Sequence, residues 1–325
     1  IIYRSLHRPN EKLLELLLVA RTAGRLGAQH LTLVAPYLAY MRQDAEFTPG
    51  EAISQRVVGE FLAGLFDAVI TVDPHLHRVS SLAEAVPVAH ALALSGAPLL
   101  ADVVARQRPG ALLLGPDAES AQWVKLAAAH HGLDFGVCRK TRHGDRDVSI
   151  VLPEGLAVDG RSVVLLDDVA SSGHTLAQAA KLPLAAGASS VDAAITHALF
   201  APGALALMKS AGVGEVWSTD CIIHSSNAVC VAPYLAAALR TAREPARAQE
   251  RAAAEAQTRA AEGALAQQRW RLAQLAPTAP ADAQVADTLF RVGEWVAAGQ
   301  PVVSLLPPSQ LKARFFVPEA ALAQL

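Results

Sequence analysis

Apolar positions along the chain fall into short runs that alternate with longer helical patterns. Strands are predicted at residues 1–3, 31–35, 66–72, 111–114, 135–138, 162–166, 191–197 and 216–219. Helices are predicted at residues 11–26, 51–65, 120–131, 175–182 and 234–240. Several strand runs are almost entirely apolar, which is typical of parallel strands covered by helices on both faces. The pattern therefore predicts an α/β fold with a parallel sheet.

Residues 162–182 combine a strand, an acidic pair, a loop of small residues and a helix, in that order. Ligands of open α/β sheets bind beyond the carboxyl ends of the strands, where the N–H groups of a helix N-terminus attract anions. Asp167 and Asp168 would accept hydrogen bonds from sugar hydroxyls, and the loop would surround a phosphate. The stretch predicts a sugar 5-phosphate site. An acidic pair that only caps a helix is the alternative. Pro183 is expected to end or kink this helix.

Composition limits the classes of protein that fit. The chain has 325 residues, of which 52% are hydrophobic and 18% charged, so it can bury large cores in two or three domains. Its net charge of -2 argues against a general nucleic-acid or membrane-surface binder. Three widely spaced cysteines indicate neither a disulfide framework nor a zinc site, and fit a reducing compartment. The longest uncharged stretches are interrupted by prolines and polar residues, so we interpret them as buried segments rather than membrane spans.

Two further polar segments follow predicted strands. Residues 36–44 form a polar and aromatic loop on which a base could stack, although ordinary loop packing is the alternative. Asp73 and His75 lie at the carboxyl end of the strand 66–72, where they could help to hold a metal-bound triphosphate. A histidine in such a place is more often a surface or core residue.

Three motifs together indicate a family. Pro-Tyr-x-x-Tyr-x-Arg-Gln-Asp at 36–44, Thr-Val-Asp-x-His at 71–75 and the Asp-Asp loop at 167–175 occur in the order and spacing that resemble ribose-phosphate diphosphokinase, also called phosphoribosyl-pyrophosphate synthetase. The resemblance covers residues 1–242. It implies two phosphoribosyltransferase-like domains, at 1–97 and 98–242, in a cytoplasmic homo-oligomer. The chain begins as if in the middle of a strand, so we expect that N-terminal residues are missing.

The resemblance also implies roles for individual residues. The segment 139–146 is similar to the family's catalytic loop, with Lys140 and Arg142 as its Lys-x-Arg pair, although a solvated hairpin is the alternative. ATP would bind to Arg42, Gln43, Asp44 and His75. Ribose 5-phosphate would bind to Asp167, Asp168, Ser171, Ser172, Gly173, His174 and Thr175. Mg²⁺ would bind to His75 and Asp117. Glu119 and Ser120 replace a glycine pair of the family, and Ser172 replaces a threonine.

Residues 243–325 differ in composition from the rest of the chain. An Ala-rich, charged stretch at 246–274 predicts an exposed helix, and residues 279–302 have the turn and strand spacing of a partial small β module. This part resembles a fragment of the membrane fusion, or periplasmic adaptor, proteins of secretion and efflux systems. An enzyme joined to such a fragment suggests a misassembled or frame-disrupted sequence, with a natural fusion as the alternative.

The implied activity is transfer of diphosphate from ATP to O1 of ribose 5-phosphate, which gives 5-phosphoribosyl 1-diphosphate and AMP. A salvage phosphoribosyltransferase would share the Asp-Asp loop, but would leave the Arg-Gln-Asp and Lys-x-Arg segments unexplained. A non-catalytic homologue or an adaptor fusion is the third alternative. Family members carry an acidic ATP-binding segment upstream of the point where this chain begins, so an inactive chain is also an alternative.

Overall fold

The computed structural model describes residues 1–46, 48–76, 78–142, 148–275, 282–297 and 299–308. Within these ranges, the side chains of residues 140–142, 148–149, 242–254 and 273–275 are not described. The chain divides into two compact units, Ile1–Ala246 and Arg247–Leu325.

The first half of the first unit is a four-stranded parallel sheet with helices between the strands. The sheet order is β1-β2-β3-β4, and all neighbouring strands are parallel. Its elements are β1 (Ile2–Tyr3), α1 (Pro9–Arg25), β2 (Thr32–Ala35), α2 (Ser54–Ala63), β3 (Ala68–Val72), α3 (Leu82–Ala85) and β4 (His90–Leu94).

The second half of this unit is a six-stranded parallel sheet with the order β12-β11-β10-β9-β5-β6. β7 and β8 form a separate antiparallel pair. The elements are α4 (Ala97–Gln107), β5 (Leu112–Gly115), α5 (Ala121–His131), β6 (Phe135–Val137), β7 (Arg139–Arg142), β8 (Val148–Val151), β9 (Ser162–Ala170), α6 (His174–Ala185), β10 (Ser190–Ala198), α7 (Ala204–Ser210), β11 (Val213–Thr219), β12 (Asn227–Val229) and α8 (Ala232–Leu275). The predicted α/β class with two parallel sheets is confirmed.

Buried apolar clusters explain how helices and sheets associate. One cluster lies between the first sheet and its helices, and two others cover opposite faces of the second sheet. A fourth cluster joins the halves, because Val34 and Ile70 of the first sheet pack with Val231 and Leu235 of the second half. The boundary predicted between residues 97 and 98 stays a prediction. β4 ends the first sheet at Leu94, and α4 then begins at Ala97.

Three sequence expectations about element ends differ from the structure. The central strand β9 continues through both acids to Ala170 instead of ending at residue 166, because β10 pairs with it as far as Ala170. Pro183 lies inside α6, which ends only at Ala185, so the proline's missing N–H falls in the last turn and interrupts little of the helix. The helix predicted at 234–240 continues to Leu275 as α8.

The second unit contains the C-terminal part of α8 and a two-stranded antiparallel pair, β13 (Gln284–Thr288) and β14 (Val303–Leu306). Residues 255–272 of α8 are exposed, as the polar, Ala-rich composition predicts. In the part of the chain that the structure describes, no helix is both long and apolar enough to span a bilayer.

Gly59→Ala is expected to destabilise the protein strongly. A Cβ atom at Gly59 of α2 would lie 1.8 Å from the backbone oxygen of Ala85, so the backbones of α2 and α3 would have to separate. Such overpacking typically costs about 1–3 kcal/mol and more when backbone must move. Denaturant unfolding measures the cost.

Gly24→Ala in α1 is the matched control for Gly59→Ala. A Cβ atom at Gly24 would meet no atom within 4 Å. The substitution should therefore stabilise the protein by about 0.5–1 kcal/mol, through helix propensity alone. Equal unfolding free energies for the two variants would contradict the close approach of α2 and α3.

Candidate functional site

The loop between β9 and α6 forms one wall of a cavity of about 380 Å³. Ser171, Ser172, Gly173 and Thr175 line this cavity. Gly173 adopts a left-handed conformation with φ of 77° directly before the helix. Because glycine has no side chain, the N-cap residue does not occupy the first N–H groups of α6. His174 is exposed and is not among the lining residues, and the positive φ lies at Gly173 rather than at His174. The loop is therefore shaped to receive an anion.

Asp167 and Asp168 lie on the floor of the same cavity. Burial raises the pKa of Asp168 to about 7, with a further contribution from Asp73 and an opposing one from Arg42. Burial, together with the negative charges of Asp168 and Asp117, raises the pKa of Asp167 well above its ordinary value. These carboxyl groups repel one another in a poorly solvated site, so ligands that donate hydrogen bonds or carry positive charge are favoured there.

His75 reaches the acidic pair from the first half of the unit. Its Nδ1 lies 2.5 Å from Oδ2 of Asp168, and its Nε2 lies 3.9 Å from Oε2 of Glu119. The ring stacks on Trp123 with centroids 6.4 Å apart. Burial and the charge of Arg42 lower the pKa of His75, which favours the neutral imidazole beside Asp168.

Asp117 and Glu119 complete the acidic side of the cavity. Both follow β5, at the carboxyl edge of the second sheet. The Asp117 carboxylate accepts a hydrogen bond from the Glu119 N–H at 3.1 Å, which holds the turn. Glu119 replaces a glycine of the expected motif. Its carboxylate belongs to the residues that line the cavity.

The predicted ATP-binding residues occupy two different environments. Arg42 and His75 line both the first cavity and an adjoining one of about 250 Å³, which Tyr37, Tyr40 and Gln43 also line. The Asp44 carboxylate instead accepts hydrogen bonds from the backbone N–H and the guanidinium of Arg78, at 2.9 and 2.5 Å, and lines neither cavity. Asp44 therefore stabilises the conformation of the loop 36–44 through its contact with Arg78.

Lys140 and Arg142 lie on β7, whose backbone pairs with β8. Their side chains, and residues 143–146 of the predicted catalytic loop, lie outside the described part of the structure. The start of the hairpin is fixed, since the N–H of Cys138 donates to the oxygen of Gly115 at the end of β5, at 2.8 Å. The antiparallel pairing of β7 with β8 does not distinguish a solvated hairpin from a catalytic loop, so the roles of Lys140 and Arg142 stay predictions.

Sequence reasoning missed the part that Asp73 plays. Its side chain is only 4% exposed, and its carboxylate accepts three hydrogen bonds from the second half of the unit. The donors are the Gly96 N–H at 2.9 Å, the Thr196 hydroxyl at 2.7 Å and the Trp123 indole N–H at 2.9 Å. Asp73 itself has φ of 36°, an unusual value for a residue with a side chain. These bonds engage both carboxylate oxygens of Asp73, which argues against the expected role of Asp73 in holding a metal-bound triphosphate. They also tie the chain to the second half of the unit two residues before His75.

His197 makes a second contact between the two halves of the unit. Its Nε2–H donates to the backbone oxygens of Val72 and Asp73, at 2.9 and 3.2 Å. Burial lowers the pKa of His197 to about 4, so the ring is neutral at physiological pH. Thr196 and His197 follow the apolar residues 193–195 at the carboxyl end of β10, and this position was the signal in the sequence that could have revealed the contact.

Protein-family comparisons match both halves. Residues 1–65 match the model described as the N-terminal domain of ribose phosphate pyrophosphokinase, and residues 94–237 match the phosphoribosyl transferase domain. The ribose-phosphate pyrophosphokinase of Methanopyrus kandleri is 32% identical over 74% of this chain and 81% of its own length. The chain belongs to the ribose-phosphate pyrophosphokinase family.

Two further comparisons cover similar shares of this chain and of the protein it is compared with. Ribose-phosphate pyrophosphokinase 1 of Archaeoglobus fulgidus is 35% identical over 74% of this chain and 82% of its own length. The crystal structure of phosphoribosylpyrophosphate synthetase from Mycobacterium smegmatis has the same fold, with a TM-score of 0.64, 24% identity, and coverage of 75% of this chain and 82% of that one. The comparisons give no support to an inactive chain or to an adaptor fragment at the C-terminus.

Proposed function

We propose that the protein transfers the β,γ-diphosphoryl group of ATP to O1 of ribose 5-phosphate, giving 5-phosphoribosyl 1-diphosphate and AMP. One observation carries the proposal. The anion loop and acidic pair of the second half line the same cavity as Arg42 and His75 of the first half. A salvage phosphoribosyltransferase needs the loop and the acids, but gives no reason for an arginine and a histidine to enter the cavity from another sheet.

The ribose 5-phosphate site would use the β9–α6 loop and the acidic pair, which line the same cavity. The backbone N–H groups and hydroxyls of residues 171–175 would bind the phosphate, and Asp167 and Asp168 would accept hydrogen bonds from the ribose hydroxyls. His174, as an exposed residue, would contribute its backbone N–H only. Because both contacts are fixed by the β9–α6 turn, the sugar would be held at two ends, which orients O1.

The ATP phosphates would approach from the side of the first half. Arg42 lines both cavities, so its guanidinium could bind phosphate groups of an ATP molecule that extends from one cavity into the other. Gln43 lines the smaller cavity, and Asp44 acts through the loop that it braces. Lys140 and Arg142 would cover the transferring group from the β7–β8 hairpin and stabilise its charge.

The residues present fit Mg²⁺. Asp117 and Glu119 offer carboxylate oxygens, the ligands that hard divalent cations prefer. Burial, with the charges of Asp168 and Asp117, raises the pKa of Asp167 beside them. His75 and Asp117 would hold the ion or its water molecules. When bound, Mg²⁺ would neutralise charge on the polyphosphate.

Phosphorus NMR on the full chain tests the proposal. Addition of ATP, Mg²⁺ and ribose 5-phosphate should give AMP and a new sugar diphosphate, and omission of ribose 5-phosphate should abolish AMP formation. Incubation of 5-phosphoribosyl 1-diphosphate with free bases is the comparison. Nucleotide formation there, without ATP-dependent AMP release in the first assay, would overturn the proposal in favour of a salvage enzyme.

The affinity for ribose 5-phosphate should rise with pH. Asp168 has a pKa raised to about 7, and the sugar hydroxyls favour its ionised form as acceptor. Affinity should therefore increase about tenfold between pH 6 and 8, with a proton released on binding at the lower pH. Over the range from about 4 to 7, the folded protein binds more protons than the unfolded chain, so this group's contribution to stability falls as pH rises.

Asp168→Asn provides the control for the pH effect. The asparagine has no titratable proton and carries no negative charge. The variant should therefore bind ribose 5-phosphate more weakly, and its affinity should not show the increase with pH that is due to Asp168. The phosphate of the ligand also titrates near pH 6, but it does so with both proteins and cancels in their ratio. A ratio that does not change with pH would contradict the role of Asp168. Calorimetry at several pH values measures both proteins.

Three finer statements stay predictions. Residues 243–325 keep their predicted likeness to a periplasmic adaptor fragment, and a homo-oligomeric state and a cytoplasmic location follow only from the resemblance to the family. The two-stranded pair β13–β14 is all the strand structure that the described residues of this part contain. Size-exclusion chromatography with light scattering would test the oligomeric state.

A further inference from the structure

We propose that Asp102, His130 and His131 form a binding site for a transition-metal ion such as Zn²⁺, separate from the candidate active site. Asp102 lies on α4, and the two histidines form the last turn of α5. One ligand atom from each of the three side chains lies within 4.8 Å of the others. None of the three lines the two cavities described above.

The distances suit a four-coordinate ion. Nε2 of His130 and Nε2 of His131 lie 3.2 and 2.8 Å from the same oxygen, Oδ1 of Asp102. Ligand atoms of a tetrahedral zinc site lie about 3.3 Å from one another, because the metal–nitrogen and metal–oxygen bonds are about 2.0–2.2 Å long. Both nitrogen–oxygen distances lie within about half an ångström of that value, and the three atoms lie within 4.8 Å of one another. Side-chain adjustments and loss of the Nε2 protons would let the three side chains bind one ion, with a position left for water.

The backbone under the cluster is firmly held. Residues adjacent to Asp102, Ala101 and Val103, are buried in the same apolar cluster as Ala127 and Ala128 of α5. Gly132 ends α5 in the left-handed conformation, and the Leu133 N–H returns to the oxygen of Ala128 at 3.0 Å. The site therefore needs only side-chain adjustments.

Charge and ligand type favour a transition metal over Mg²⁺. The carbonyl end of α5 favours positive charge near His130 and His131. The Asp102 carboxylate accepts hydrogen bonds from both imidazoles, so the three ligand atoms already face one another. Two imidazoles and one carboxylate suit Zn²⁺, Cu²⁺ or Ni²⁺, whereas Mg²⁺ prefers oxygen ligands. The side chains are 34–44% exposed, so an ion can enter from solvent.

Zn²⁺ titration of the metal-free full chain in excess Mg²⁺, followed by calorimetry, tests the site. Wild-type protein should bind a zinc equivalent that the double variant His130→Gln/His131→Gln loses, and Asp102→Asn should weaken that equivalent at least tenfold. Co²⁺ in place of Zn²⁺ should give visible absorption bands of a four-coordinate site in the wild type and not in the double variant. His90→Gln, at an exposed histidine on β4, should leave both signals unchanged.

Thermal unfolding separates binding from damage to the fold. Without zinc, the double variant should unfold close to the wild-type temperature, because the three side chains are partly exposed. With zinc, only the wild type and His90→Gln should gain stability, since the ion binds the folded state. Unchanged zinc stoichiometry and affinity in the double variant, or no zinc binding by the wild type, would overturn the proposal.

Discussion

Lys140→Ala is expected to lower kcat about 100- to 1,000-fold and to leave ribose 5-phosphate affinity nearly unchanged, since a cation that stabilises only the transferring group acts in the transition state. The position of the hairpin supports this expectation. β6 pairs with β5, and Cys138 then bonds to Gly115, two residues before the predicted magnesium ligand Asp117. β7, which begins at Arg139 and contains Lys140, therefore starts close to the acidic edge of the cavity.

Steady-state AMP formation and calorimetric titration with ribose 5-phosphate measure the two quantities separately. Lys181→Ala is the matched control, because Lys181 is an exposed cation on α6 and should leave both quantities unchanged. If Lys140→Ala raised the dissociation constant in proportion to its loss of rate, the lysine would be a ground-state phosphate ligand. A variant with wild-type kcat would exclude the lysine from the chemistry.

Asp73→Ala is expected to cost about 3 kcal/mol or more of unfolding free energy, because it leaves three buried donors without an acceptor and each such loss costs about 1–3 kcal/mol. The donors belong to α5, to β10 and to the turn before α4. Loss of the carboxylate therefore loosens the contact between the two sheets. His75, two residues along the chain, should then lose its alignment with Asp168.

Two further variants make the Asp73 result specific. Asp73→Asn keeps one acceptor oxygen and should be less destabilising than Asp73→Ala. Asp134→Ala removes a carboxylate whose ion pair with Arg161 lies at the surface, and should cost less than about 1 kcal/mol. If Asp73→Ala unfolded at the same denaturant concentration as Asp134→Ala, the buried link between the halves would be refuted. Turnover should fall in Asp73→Ala even where the protein is fully folded.

The part of the candidate site that was predictable consists of residues that are adjacent in the sequence. A strand, two acids, small residues and a helix occupy adjacent positions in the sequence, so hydrophobic pattern and turn chemistry place Asp167, Asp168 and the loop 171–175 without further knowledge. The exact end of β9 was not predictable in this way. Pairing with β10 carries the strand through both acids, and that pairing depends on the whole sheet.

The amino-acid sequence alone determined the α/β class, the anion loop and the motifs that indicate the family. Each of these features depends on residues that are only a few positions apart in the chain. Only the tertiary structure decided that His75 meets Asp168 across 93 positions and that Asp73 bonds to Thr196 across 123. It also decided that Asp102 meets two histidines of another helix. The physical reason is that strand order and helix packing set such distances, and hydrophobic periodicity records which face of an element is buried but not which element covers it.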